Sequence, residues 1–140
     1  RSTPKPSSAA SDVYKRQDAT LVEGAGGILV GLDNDGSGVL DLMDALTRRG
    51  HEPHVIVVTR SVLGTLNHTG LTCNAIRDRG HQVDAIVIGS WPDRPDLAER
   101  CNLEEIEDAA GAPLVGVIPA GIGKDPEAVQ QTARNLGETQ

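Results

Sequence analysis

The sequence predicts an α/β protein built on a doubly wound, mostly parallel sheet. Three observations predict it. Strand-like and helix-like segments alternate four times along the chain, spaced for the crossovers that parallel strands need. The strand-like runs are continuous and β-branched rather than alternating, the pattern of strands covered on both faces. Aromatic residues are nearly absent, with one Trp, one Tyr and no Phe among 140 residues. The core must then be Val, Ile, Leu and Ala, which suits α/β layers better than a β-sandwich.

Each element has its own signal. Residues 19–22 (A-T-L-V) read as a short buried strand ending at a glycine turn, and residues 28–32 continue extended. Residues 33–38 form a polar Asp/Asn/Gly/Ser loop. Residues 39–49 carry Leu42, Ala45 and Leu46 on one side, predicting a helix that Gly50 stops. Residues 54–59 (H-V-I-V-V-T) predict a strand buried on both faces. A second helix is expected over residues 65–79, ended by Gly80. Residues 84–88 predict another buried strand, 97–110 an acidic helix, and 114–118 a fourth strand ending at Pro119. The tail from Pro126 predicts a helix with proline in its first turn.

Composition excludes several functions. The formal net charge is −7 and the signs are mixed along the chain, whereas a nucleic-acid surface needs a basic face. No apolar run is long enough to cross a bilayer, and no signal-peptide pattern is visible. Cys73 and Cys101 have no C-x-x-C spacing, which predicts two free thiols in a reducing, cytoplasmic setting. Residues 1–17 are Ser/Pro-rich and aperiodic, so they are expected to be disordered. Within them D-V-Y-K-R-Q resembles the translated end of a sequencing adaptor. The expectation is that an artefactual segment precedes the coding sequence from Asp18, and that the N-terminal half of the natural protein is missing.

In open α/β sheets, ligands gather at the carboxyl ends of the strands. At the first such end stand Glu23, Gly24, Ala25 and Gly26. A carboxylate there can hold a hard cation such as Mg²⁺, which in turn meets phosphate oxygens. The glycines let a ligand approach the backbone. The residues alone leave open that Glu23 is a solvated carboxylate beside a tight turn. At the second strand end, Gly64 precedes a helix whose first turn holds Thr65, Leu66 and Asn67. Bare N–H groups there can bind an anion, although capping by Thr65 or Asn67 is the simpler reading of the residues. Gly89 and Ser90, then Pro119, Ala120 and Gly121, mark two further strand ends.

Two patterns point elsewhere. Asp33, Asp35, Ser37, Gly38, Asp41 and Asp44 fit a calcium loop in outline. The last acid is Asp rather than the longer Glu, and the glycine-rich segment before it cannot supply an entering helix. A polar turn followed by a helix is the better reading. G-I-G-K-D, residues 121–125, lacks both the leading glycine and the hydroxyl after Lys124 that a phosphate loop requires.

Four stretches, taken together, carry a family resemblance. T-L-V-E-G-A-G-G-I-L-V, L-G-T-L-N-H-T-G-L-T, V-I-G-S-W-P-D-R-P and G-V-I-P-A-G follow one another at fitting intervals. From residue 18 onward the chain resembles the second half of the dethiobiotin synthase family, of the actinobacterial kind. The resemblance implies a P-loop NTPase fold that is incomplete here, a homodimer, and a cytoplasmic enzyme of biotin biosynthesis. It implies closure of a ureido ring on 7,8-diaminononanoate with CO₂, ATP and Mg²⁺.

The same resemblance implies the site residues. Glu23 would bind Mg²⁺, and Gly24, Ala25 and Gly26 would line the phosphate and carbamate region. Gly64, Thr65, Leu66 and Asn67 would receive the substrate carboxylate from the neighbouring subunit. Gly89, Ser90, Pro119, Ala120 and Gly121 would border the nucleotide base. Many members of the family have Asn, which reads adenine, where this chain has Gly89, and glycine has no side chain to do so. The catalytic lysines would lie in the missing half, so this chain alone is expected to be inactive and to expose an aggregation-prone sheet edge. The competing readings are a cobyrinate-type amide synthase, a ParA-like ATPase, and a calcium module over residues 33–44.

Overall fold

The structure is a computed structural model and describes residues 19–137. The expectation for residues 1–17 lies outside the described residues. Helix α1 spans Val39–Arg48, strand β1 Ile56–Thr59 and helix α2 Thr65–Asp78. Strand β2 spans Ala85–Trp91, helix α3 Leu97–Ala110 and strand β3 Leu114–Pro119. A single 3₁₀ turn at Ile122–Lys124 leads into helix α4, Pro126–Gly137.

The strands form one parallel sheet in the order β1-β2-β3. Ile56 pairs with Ala85 and Thr59 with Ile88. On the other side Ile86 pairs with Leu114, Val87 with Gly116, and Trp91 with Pro119. Ile86 sits in a core with Leu40 and Met43 of α1, Cys73 and Ile76 of α2, and Ile106 and Ala110 of α3. Val87, next to Ile86 on β2, points to the opposite face, and its partner on β3 is Gly116, across a register irregularity that follows Leu114. There a Cβ on Gly116 would stand 2.1 Å from Leu136 of α4. A side chain at 116 would push α4 off the sheet, and the backbone there has φ 150°, which also favours glycine. Helices thus cover both faces, and the doubly wound α/β prediction holds.

Helix ends follow local rules. Arg49 and then Gly50, at φ 81°, end α1, and Gly80, at φ 84°, follows α2 in the same way. A capping box opens α3: Asp96 Oδ1 accepts from Glu99 N at 2.8 Å, and Glu99 Oε2 accepts from Asp96 N at 2.9 Å. Gly111 closes it at φ 62°. Arg77 of α2 donates to the Ala110 and Gly111 carbonyls, so one helix caps its neighbour.

Several expectations need correction. Residues 19–22 are not a strand; they are irregular and exposed, with Leu21 94% exposed. Residues 28–32 are not extended; Ile28 and Leu29 form a turn closed by Val30 N to Gly27 O at 3.2 Å. A strand is stable only beside a partner that takes up its backbone groups, and among the described residues none pairs with these segments. The described sheet therefore has three strands where four were expected. β1 is covered on one face only: Val57 and Thr59 are half-buried, whereas Ile56 and Val58, on the other face, are 58% and 65% exposed. His54 and Val55 fall outside it. On α1 the buried stripe is Leu40 and Met43, while Leu42 faces water. β2 runs three residues beyond Ile88, to Trp91.

Candidate functional site

The carboxyl ends of β1, β2 and β3 lie side by side, as parallel pairing requires, and each leads into a loop. Ala120 N donates to Trp91 O at 2.8 Å, which joins the β2 and β3 ends carrying Gly89, Ser90, Pro119, Ala120 and Gly121. Gly121 takes φ 82°, turning the chain away from the sheet. Gly89 packs beneath β1: a Cβ there would stand 2.7 Å from Val58 Cγ1. A larger residue at this position needs Val58 to move.

Residues 60–64 join β1 to α2. Gly64 is the N-cap of α2 with φ 94°, in the left-handed region that favours glycine. No side chain caps this helix, so the capping by Thr65 or Asn67 that the residues permit does not occur. Thr65 turns inward instead: its Oγ1 donates to Arg60 O at 2.7 Å and lies 2.7 Å from Thr59 Oγ1. Thr69 Oγ1 is 2.8 Å from Thr59 Oγ1. Thr65 N and His68 N are taken by Val62 O and Gly64 O. The Leu66 and Asn67 N–H groups remain directed out of the helix start, a small positive surface.

Two open grooves meet at this loop. One, of about 350 Å³, is lined by Gly27, Ile28, Val58, Thr59, Arg60 and Thr65 with further residues of α2. The other, of about 280 Å³, is lined by Arg60, Ser61, Val62, Ser90, Pro92 and Glu99. Thr65 and Ser90 are thus brought around one loop. Glu23, Gly24, Ala25 and Gly26 line neither groove, although the adjoining Gly27 and Ile28 do. Glu23 is exposed on irregular backbone. A Cβ on Gly24 would stand 2.6 Å from Val39 Cγ2, so the turn rests on the start of α1.

Beneath the loop lies a buried polar set that sequence reasoning missed. Ser61 Oγ donates to Glu99 Oε1 at 2.7 Å, and Asn102 Nδ2 donates to Ser61 O at 2.7 Å and to Val62 O at 3.2 Å. All three residues are buried. The one signal in the sequence was Asp96 with Glu99 three residues on, the capping spacing. It gives no hint that the second Glu99 oxygen faces Ser61.

The acidic stretch over residues 33–44 is already occupied. Asp33 Oδ1 accepts from Ser37 N and Asp35 N, which holds its pKa below the usual range. Asp41 is lowered first by the Gly38 N–H and then by Arg79. Asp44 is lowered by hydrogen bonds from Arg79 and then His81. Among the described residues no group of three or more His, Cys, Asp or Glu side chains could hold a metal ion. A site in which Mg²⁺ keeps waters and phosphate oxygens needs only one or two carboxylates from the protein, and Glu23 is chemically suited to supply one.

Comparisons with known proteins agree with this architecture. The family described as "AAA domain" matches residues 5–128. The ATP-dependent dethiobiotin synthetase BioD of Rhodococcus erythropolis is 48% identical over 125 residues, 89% of this chain and 52% of that protein. Those of Streptomyces coelicolor and Saccharopolyspora erythraea are 45% and 46% identical over 126 residues, covering 51% and 54% of each. The chain therefore spans about half the length of the curated relatives it matches. A parallel sheet wound by helices, and a family match over most of its length, show that the chain belongs to the AAA-domain family, with actinobacterial dethiobiotin synthetases among its homologues.

Proposed function

We propose that this chain is the C-terminal part of an ATP-dependent ligase that closes a ureido ring on 7,8-diaminononanoate to give dethiobiotin. Near-half identity to the three synthetases is the observation that carries the reading. The uncapped start of α2 supports it, since it offers N–H groups to an anion at a strand end.

In this reading one amine of the substrate takes up CO₂ as a carbamate. A carbamate oxygen takes the γ-phosphoryl group of ATP, releasing ADP. The second amine then attacks the carbamoyl carbon, closes the ring and expels phosphate. Such transfers depend on positioning and on neutralised charge. Gly64, Thr65, Leu66 and Asn67 hold the substrate's distant carboxylate through their backbone, across a homodimer interface. Gly24, Ala25 and Gly26 border the reacting groups. Gly89, Ser90, Pro119, Ala120 and Gly121 border the base. Glu23 supplies a carboxylate to Mg²⁺, which when bound offsets phosphate charge. The enzyme works in the cytoplasm. The 140-residue chain contains no G-x-x-x-x-G-K-S/T loop and by itself makes no product.

A hybrid enzyme tests this. Residues 18–128 replace the matching half of the Rhodococcus erythropolis synthetase, and dethiobiotin is assayed from diamine, bicarbonate, ATP and Mg²⁺. The hybrid should turn over, and Glu23→Gln within it should lower kcat/KM about a hundredfold. A folded hybrid that binds ATP yet makes no dethiobiotin sinks the reading.

A further inference from the structure

The turn that carries Glu23 has few anchors. Among the described residues, no hydrogen bond ties residues 23–26 to a helix or a strand. Apolar contacts hold it instead. Ile28, just beyond the turn, packs against the core, and so does Val39, the first residue of α1. Gly24 lies directly on Val39: a Cβ at position 24 would stand 2.6 Å from Val39 Cγ2 and 3.8 Å from Val39 Cβ. Carbon atoms in contact prefer about 3.5–4.0 Å, so no side chain fits between the two.

The backbone does not demand glycine at this position. Gly26 and Gly27 take φ 83° and 124°, where a side chain is strained, but Gly24 is not among the residues with positive φ. What excludes a side chain at 24 is the valine, and the valine is held in place. A β-branched residue in a helix has one strongly preferred rotamer. The following turn of α1 is buried through Leu40 and Met43, 5% and 6% exposed. Asp41 fixes the same helix start: its Oδ2 accepts from Gly38 N and its Oδ1 from Arg79 Nη2, each at 2.8 Å.

We infer that Val39 is a positioning residue for the Glu23 carboxylate. It seats the turn through Gly24, the residue next to Glu23, and so sets where that carboxylate meets a bound cation. This rests on the Mg²⁺ role proposed above for Glu23. Val39 is not itself a ligand; it acts through the backbone at residue 24.

Two substitutions and their combination test this. Gly24→Ala drives a methyl into Val39, Val39→Ala clears the space, and the double variant carries both. In the ¹³C,¹⁵N-labelled 140-residue chain, the Gly24 α-protons should show nuclear Overhauser contacts to the Val39 methyls. Gly24→Ala should move the Ala25 and Gly26 amide signals, and the double variant should bring them back. In the hybrid enzyme, Gly24→Ala should raise the Mg²⁺ concentration for half-maximal rate about tenfold and leave the KM for diamine nearly unchanged. The double variant should recover most of that loss. Absent contacts between Gly24 and Val39, or no recovery in the double variant, overturns the inference. So does an equal rise in both constants, which marks general damage to the site. Either failure leaves the proposed reaction standing. A natural hybrid that makes no dethiobiotin sinks that reaction, and the role of Glu23 with it, whatever the contacts in the chain show.

Discussion

Residues 19–38 and residues 55–119 contain similar runs of Val, Ile and Leu, yet only the second region forms a sheet. Their hydrogen bonds explain the contrast. In the first region every bond is short-range: Val30 N to Gly27 O, Leu32 N to Ser37 O, Gly36 N to Asp33 O, and the Asp33 carboxylate to Asp35 N and Ser37 N. In the second, bonds span dozens of residues, from Val55 to Asp84, Ser61 to Glu99, Asn102 to Ser61 and Arg77 to Gly111. Burial separates the runs as well. Ile86 and Ile88, on a strand with two, are fully buried; Ile56 and Val58, on a strand with one, are more than half exposed; Leu21, with none, is almost bare. An apolar run is thus a bid for a strand, and pairing decides whether it becomes one.

The sharpest break of that contrast is Ile86→Ala. It empties a site at the centre of the core and should cost about 2–5 kcal/mol in urea denaturation. Leu21→Ala, of equal chemistry, should stay within about 0.5 kcal/mol; a large loss there would show that the first region packs after all. Gly64→Ala comes next. Only His68 Cε1, at 3.9 Å, lies near the new methyl, so the cost is backbone strain of about 1–2 kcal/mol, read from the same melts.

Two smaller effects separate local from long-range bonding. Arg79→Met removes the largest cause of the lowered Asp44 pKa, whereas for Asp41 the Gly38 N–H comes first. In a carboxyl ¹³C NMR titration Asp44 should rise more than Asp41, and Asp33 should not move. The sign of the linkage is set by depressed carboxylates. Their stabilisation is present above about pH 4, the unfolded value, and is lost as pH falls through the lower folded values. The smallest change in stability belongs to Val58→Lys on the open edge strand. It should alter the melt little but reduce light scattering on concentration, because a charge on an edge blocks pairing between copies.

Much of the fold was legible in the sequence. The bounds of α3 were read to the residue; in the structure Asp96 caps its start and Gly111 its end. Gly50 and Gly80 marked the ends of α1 and α2 correctly, since few residues but glycine take positive φ. The strand ends were also legible as places where loops meet. The polar set beneath them was not: Ser61, Glu99 and Asn102 look like ordinary surface residues until the packing of α3 against the β1–α2 loop buries them.

What the sequence determined by itself is local: helix bounds, the left-handed glycines, and the order of strand and helix. These depend on backbone preferences and side-chain period, which act over a few residues. The tertiary structure alone decided which apolar runs became strands, which face of β1 stayed open, and which side chains hold the loop before α2. Those outcomes depend on partners far along the chain, and a hydrogen bond or a buried face exists only when both halves of it meet.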